Sequence, residues 1–105
     1  MSWDISLTAD RPTVVFETNI TFNLNTMANA VGVLGPVLNP SQPTKATSLL
    51  PLLRSAIARM EAEPCRFQRY NPTNGIGSYE ELLAALKALL KACRENPDAE
   101  YNVVA

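Results

Sequence analysis

The stretch N-P-T-N-G-I-G-S-Y-E-E, residues 71–81, holds the densest group of positions able to do chemistry. Gly75 and Gly77 precede a helix start, so their N–H groups, with those of Ser78 and Tyr79, can present a concave donor set to an anion. Arg66 and Arg69 lie just upstream and supply the countercharge. The same residues also read as a tight turn at Asn74-Gly75, with Gly77 admitting the chain to the helix, and a G-x-G alone does not separate the two. A second candidate surface is N-I-T-F-N-L-N, residues 19–25, where Asn19, Thr21 and Asn23 alternate with apolar residues. Asparagine is disfavoured inside strands, so this face reads either as a hydrogen-bonding surface for a ligand or subunit or as the solvated outer face of a sheet. The candidate ligand-binding set is therefore Asn19, Thr21, Asn23, Arg66, Arg69, Asn74, Gly75, Gly77, Ser78 and Tyr79.

Most catalytic arrangements are missing. The chain has no histidine, which removes the commonest general base and neutral metal ligand and every Ser-His or Cys-His nucleophile pair. Two isolated cysteines do not make a zinc site. The ten carboxylates fall mostly at element ends or on solvent faces, where solvation is their ordinary role. No catalytic residue, cofactor or metal is expected, and the protein reads as a non-enzyme.

A chain of 105 residues forms one domain, 1–105. Its net charge of −1 comes without any basic stripe, which disfavours binding to a nucleic acid duplex. No apolar run is long enough to span a bilayer and no leader pattern opens the chain, so a cytoplasmic protein with no membrane partner is expected, with Cys65 and Cys93 as reduced, buried thiols. Charged residues make up only 18% of the chain; an uncharged surface suits self-association or a covered partner, and a homo-oligomer, a dimer or higher, is expected.

The elements that must position these groups follow from periodicity. Residues 3–9 alternate as a half-buried strand, Asp10-Arg11-Pro12 turns the chain, and alternation resumes over 14–25 to complete a hairpin. Asn25 or Thr26 is placed to cap a short helix over 27–34, ended by Gly35-Pro36. Residues 35–47 form a proline-rich loop that either closes over the body or projects from it. A helix is expected over about 48–63, with Pro51 tolerable only in its first turn and Pro64 ending it. Ser78 and Glu81 form a capping box that opens the strongest helix, 79–95, and the tail alternates as a third strand. The fold class is α+β: a small antiparallel sheet, from the N-terminal hairpin plus a C-terminal strand, packed against two long helices and one short helix. Both periods converge on a core of Trp3, Ile5, Leu7, Phe16, Ile20, Phe22, Leu53, Ile57, Leu86 and Leu89.

Over about residues 13–104 the chain resembles a family of small uncharacterised proteins of bacteriophages, prophages and bacteria. The family's first motif usually reads Asn-Ile/Tyr-Thr-His-Asn and its second Asn-Pro-x-Asn-Gly-Trp-Gly-x-Tyr-Glu. Asn19, Thr21, Asn23, Asn71, Pro72, Asn74, Gly75, Gly77, Tyr79 and Glu80 match these motifs, while Phe22 stands at the usual histidine and Ile76 at the usual tryptophan. The resemblance implies a phage or prophage accessory protein, with counter-defence as one such role, and a shared site with no assigned reaction. The leading expectation is an accessory protein that binds or sequesters a small anionic, nucleotide-like ligand; the alternative is an inhibitor that covers a host defence enzyme as its host protein partner.

Overall fold

The computed structural model describes residues 1–9 and 13–105, and the expected turn at residues 10–12 lies outside the described residues. Strand β1 (Ser2–Ala9) pairs antiparallel with β2 (Thr13–Thr21), and the register sets Trp3 opposite Ile20, Ile5 opposite Thr18 and Leu7 opposite Phe16. Because side chains alternate across a strand, one face carries the buried Trp3, Ile5, Leu7 and Ile20, and the other carries the exposed Asp4, Glu17 and Asn19. The second strand is shorter than its periodicity suggested. It ends at Thr21, and Phe22–Leu24 form one 3-10 turn: the Phe22 N–H still donates to the carbonyl of Met1 at 3.2 Å, but the Thr21 hydroxyl accepts from the Asn23 N–H at 3.4 Å and caps the turn.

Helix α1 (Asn25–Val31) follows directly, two residues earlier than expected at its start and three at its end. Neither Asn25 nor Thr26 caps it; both lie inside the helix, and the preceding 3-10 turn leads the backbone in. Gly32, with φ +95°, takes the left-handed C-cap conformation, and the Val33 N–H reaches back to Ala28 at 3.0 Å. Arg59 closes the same end by donating to the carbonyls of Val31 (2.9 Å) and Ala30 (3.2 Å). Residues 33–43 close over the body: Val33, Val37 and Leu38 are buried, and the Tyr101 hydroxyl donates to the Val37 carbonyl at 2.7 Å.

A two-residue strand, β3 (Thr44–Lys45), leads into α2 (Ala46–Ala62). This helix starts two residues before the expected position, because the carbonyls of Ala99 and Pro97 accept from the Ala46 and Thr47 N–H groups at 2.9 and 3.0 Å. Those acceptors come from the far end of the chain, and they place Pro51 inside the helix instead of in its first turn. Pro64 does not simply end the helical region: it is the first residue of a further short helix, α3 (Pro64–Gln68), which buries Phe67 and suits proline's fixed φ at N1. Helix α4 (Tyr79–Glu95) matches its expected bounds, and the Ser78 hydroxyl accepts from the Glu81 N–H at 3.1 Å.

The C-terminal strand β4 (Glu100–Val104) pairs antiparallel with β1 and with β3, so the sheet has four strands, ordered β2-β1-β4-β3, where three were expected. The α+β class stands, with a second short helix added. Of the ten expected core residues, eight are buried, and Phe16 and Phe22 are half-buried against the core, Phe22 meeting Trp3 edge-on at 4.6 Å. Cys93 is buried and free as expected, but Cys65 is exposed on α3.

Burial pushes the Cys93 thiol up from 9.0 to about 11. It also raises the Tyr101 phenol well above its ordinary 10.0, with the neighbouring Cys93 adding to the effect. Both groups stay protonated in the fold at pH values where the unfolded chain ionises, so above those pH values the unfolded state binds fewer protons and stability falls. The contribution of these groups to stability is therefore expected to be fully present and independent of pH below about 9, then to be lost progressively toward pH 11, each group adding a slope of about 1.4 kcal/mol per pH unit once its unfolded form ionises. Denaturant midpoints between pH 7 and 11 check this, and Cys93→Ala should move the onset up toward pH about 10.

Candidate functional site

Residues 71–78 form a loop held almost entirely by its own asparagines. The Asn71 carbonyl oxygen Oδ1 accepts from the Tyr79 N–H at 2.8 Å, and Asn74 Oδ1 accepts from the Ile76 N–H at 3.0 Å in a local Asx turn. Asn23 reaches across from the 3-10 turn and donates through Nδ2 to the Ile76 carbonyl at 3.3 Å. Thus the structure joins the two stretches singled out in the sequence, although they are some fifty residues apart.

Gly77 is the second fixture. Its φ of +93° is a left-handed conformation, and a side chain there would stand 2.9 Å from Thr21 Cγ2 and 3.1–3.2 Å from Leu24. Glycine is needed there both for the backbone and for close packing against Thr21. Gly75, at φ +76°, needs glycine only for its backbone, since nothing lies within 4 Å of a Cβ built there.

Behind the loop, the Tyr79 side chain enters the core and its hydroxyl donates to the Met60 carbonyl at 2.6 Å. Its phenol is raised above the ordinary value, first by burial and then by the nearby carboxylates of Glu61 and Glu80. The expected role of Tyr79 as an anion donor changes accordingly: its N–H is accepted by Asn71 and its hydroxyl by Met60, so both its polar groups serve the fold. Ser78 likewise caps α4 through Glu81. Arg66 pairs with Glu63 at 3.1 Å, both half-exposed, and lies over the Phe67 ring at 5.4 Å, so part of the expected countercharge is met by the residue that precedes α3. Arg69 is exposed at the end of α3.

Asn19 is not part of this cluster. It lies on the outer face of β2 opposite Asp4, where a shallow depression of about 460 Å³ is lined by Asp4, Ser6, Glu17 and Asn19. Of the ten expected positions, Thr21, Asn23, Asn74, Gly75, Gly77, Ser78 and Tyr79 come together or adjoin.

Two residues outside the expected set matter as much. Asn71 anchors the loop to the helix start, and the signal for it was the Asn-Pro pair at 71–72, where proline forces the preceding residue out of helical backbone. Ile76 stands in the loop between two left-handed glycines, with its N–H and its carbonyl both hydrogen-bonded and the residue 58% exposed. An apolar residue centred in a G-x-G was the available signal.

No family model matches the chain, no curated protein matches it, and no solved structure matches it. Among the described residues no helix is long and apolar enough to cross a membrane.

The two glycines should separate on substitution. Gly77→Ala is expected to cost about 2–4 kcal/mol, from the left-handed backbone plus overpacking on Thr21 and Leu24. Gly75→Ala should cost only about 1 kcal/mol, from the backbone alone. Urea unfolding of the two variants checks this order.

Proposed function

We propose that the protein is a non-enzymatic accessory protein that acts by binding another protein, with Ile76 as the apolar anchor of its contact surface. The observation that carries this reading is the way Ile76 is held. Asn74 and Asn23 fix its backbone, Gly75 and Gly77 set the turn around it, and yet most of its side chain remains outside the core. A large apolar side chain on a fixed backbone loses little freedom on docking, and anchors of this kind carry most of the binding energy in an interface. The motif resemblance supports the same position, since an aromatic residue usually stands there, and it supplies the phage-type setting; inhibition of a host defence enzyme is the mode of action we attach to that setting.

A second reading, sequestration of a small anionic nucleotide-like ligand, draws on the left-handed backbone at Gly75 and Gly77. Backbone anion nests are built from such conformations, and Arg69 offers an exposed charge. Of the N–H groups expected to face the anion, that of Tyr79 is already accepted by Asn71, and the neighbouring N–H groups of Ile76 and Glu81 are taken within the loop and cap; this narrows the donor set and favours protein binding.

Ile76→Asp tests the two together. The variant should melt within about 2 °C of the parent, as for a surface change worth under about 0.5 kcal/mol. It should also lose a host protein retained by the parent, with affinity reduced at least about 30-fold, as for an anchor worth about 2 kcal/mol. Undiminished capture by Ile76→Asp would overturn the reading. Calorimetric binding of a nucleoside polyphosphate, abolished by Arg69→Ala and indifferent to Ile76→Asp, would establish the second in its place.

A further inference from the structure

Strand β2 is an outer strand of the sheet. The bond from the Phe22 N–H to the Met1 carbonyl fixes the phase of its ladder with β1. In an antiparallel pair the mutually bonded positions alternate, so Ile20 and Thr18 turn their N–H and C=O groups toward β1, and Glu17, Asn19 and Thr21 turn theirs outward. Natural sheet edges are guarded by charges and bulges, of which β2 has Glu17 and the irregularity at Val15 at its far end, and most strongly by lysine or proline. The sequence of β2, T-V-V-F-E-T-N-I-T, contains neither, and Glu17 is its single charge. Val14 and Val15, 48% and 39% exposed, stand at one end of the same edge.

We infer that this edge pairs with the β2 edge of a second copy of the chain, antiparallel about a two-fold axis through Thr18, to make a continuous eight-stranded sheet. The register follows from the side chains and from the strand's end at Thr21, since centring on Asn19 or Ile20 would pair fewer residues of β2. A two-fold axis normal to the sheet keeps both cores on one side only when paired residues share a face. Centring on Glu17 would set two carboxylates directly opposite each other, which is destabilising. Centring on Phe16 would run the new ladder through a bulge, since Leu7 pairs with Phe16 and Thr8 with Val14, leaving Val15 as an extra residue. Centring on Thr18 places Glu17 opposite the second copy's Asn19, where the amide donates to the carboxylate, and the symmetry repeats that contact. On the inner face the same register sets Phe16 opposite Ile20, apolar on apolar. A strand-edge contact of this length is small beside the roughly 1,200–2,000 Å² of stable interfaces, so the association is a weak, reversible one.

Sedimentation at about 100 μM, high enough to populate a weak dimer, tests the pairing. The parent should run at twice the 11.5 kDa of one chain. Asn19→Pro removes an outward N–H that the single chain does not use, which an edge strand tolerates; it should keep the parent's circular dichroism and weaken dimerisation at least about tenfold. The register is read by cysteine cross-linking in a Cys65→Ser background. Thr18→Cys should oxidise to a covalent dimer, because opposed Cα atoms in a pair without mutual bonds lie about 4.5 Å apart, within disulfide reach, and Glu17→Cys should not. A monomeric parent, an undisturbed Asn19→Pro dimer, or cross-linking at Glu17→Cys in place of Thr18→Cys would each overturn the inference. Should Asn19→Pro fail to fold, the Thr18→Cys and Glu17→Cys pair decides it.

Discussion

The bond from the Tyr79 hydroxyl to the Met60 carbonyl, 2.6 Å long and inside the core, is the contact on which the rest of the structure turns. Met60 lies in the last turn of α2, where helix carbonyls lack partners within their own helix. A buried carbonyl left in that state costs about 1–3 kcal/mol, and Tyr79, the first residue of α4, removes the cost. One side chain thereby fixes the end of one long helix against the beginning of the other. The chain between them, α3 and the loop at 71–78, is confined to the path those two ends allow.

The loop's geometry follows from that confinement. Tyr79 is held by its ring, so Asn71 can accept from its N–H and anchor the loop's first residue. Gly77 then lies close enough to Thr21 and Leu24 that no side chain fits, and Asn23 is brought within reach of the Ile76 carbonyl. Each restraint draws on the one before it. Ile76 is the residue left over, presented outward with its N–H and its carbonyl both hydrogen-bonded.

Much of this could be read from the chain, and what could not has a common cause. The helix at 79–95 carries its own start signal in Ser78 and Glu81, its own apolar stripe and its own stop at Asn96-Pro97, so its bounds needed no tertiary information. β1 and the buried end of β2 were equally local. The errors fall where a distant segment supplies a partner. α2 begins early because Pro97 and Ala99 accept from its first N–H groups, and β3 exists because β4 is beside it. β2 stops at Thr21 although the alternation continues to Asn25, where the chain turns into the 3-10 turn that the Thr21 hydroxyl caps. The period of two in N-I-T-F-N-L-N was real but divided between two structures: Asn19 faces outward from the sheet, and Asn23 serves the loop. At the loop, the asparagines were legible as polar and unusual, whereas their direction, toward their own backbone, depended on contacts that periodicity does not encode.

A fixed loop is what distinguishes a preformed anchor from an ordinary exposed apolar residue. Backbone 15N relaxation of Gly75, Ile76 and Gly77 measures that property directly. Order parameters near 0.85, the value of rigid backbone, are expected for all three amides, and values below about 0.6 at Ile76 would mean a flexible loop and contradict the account.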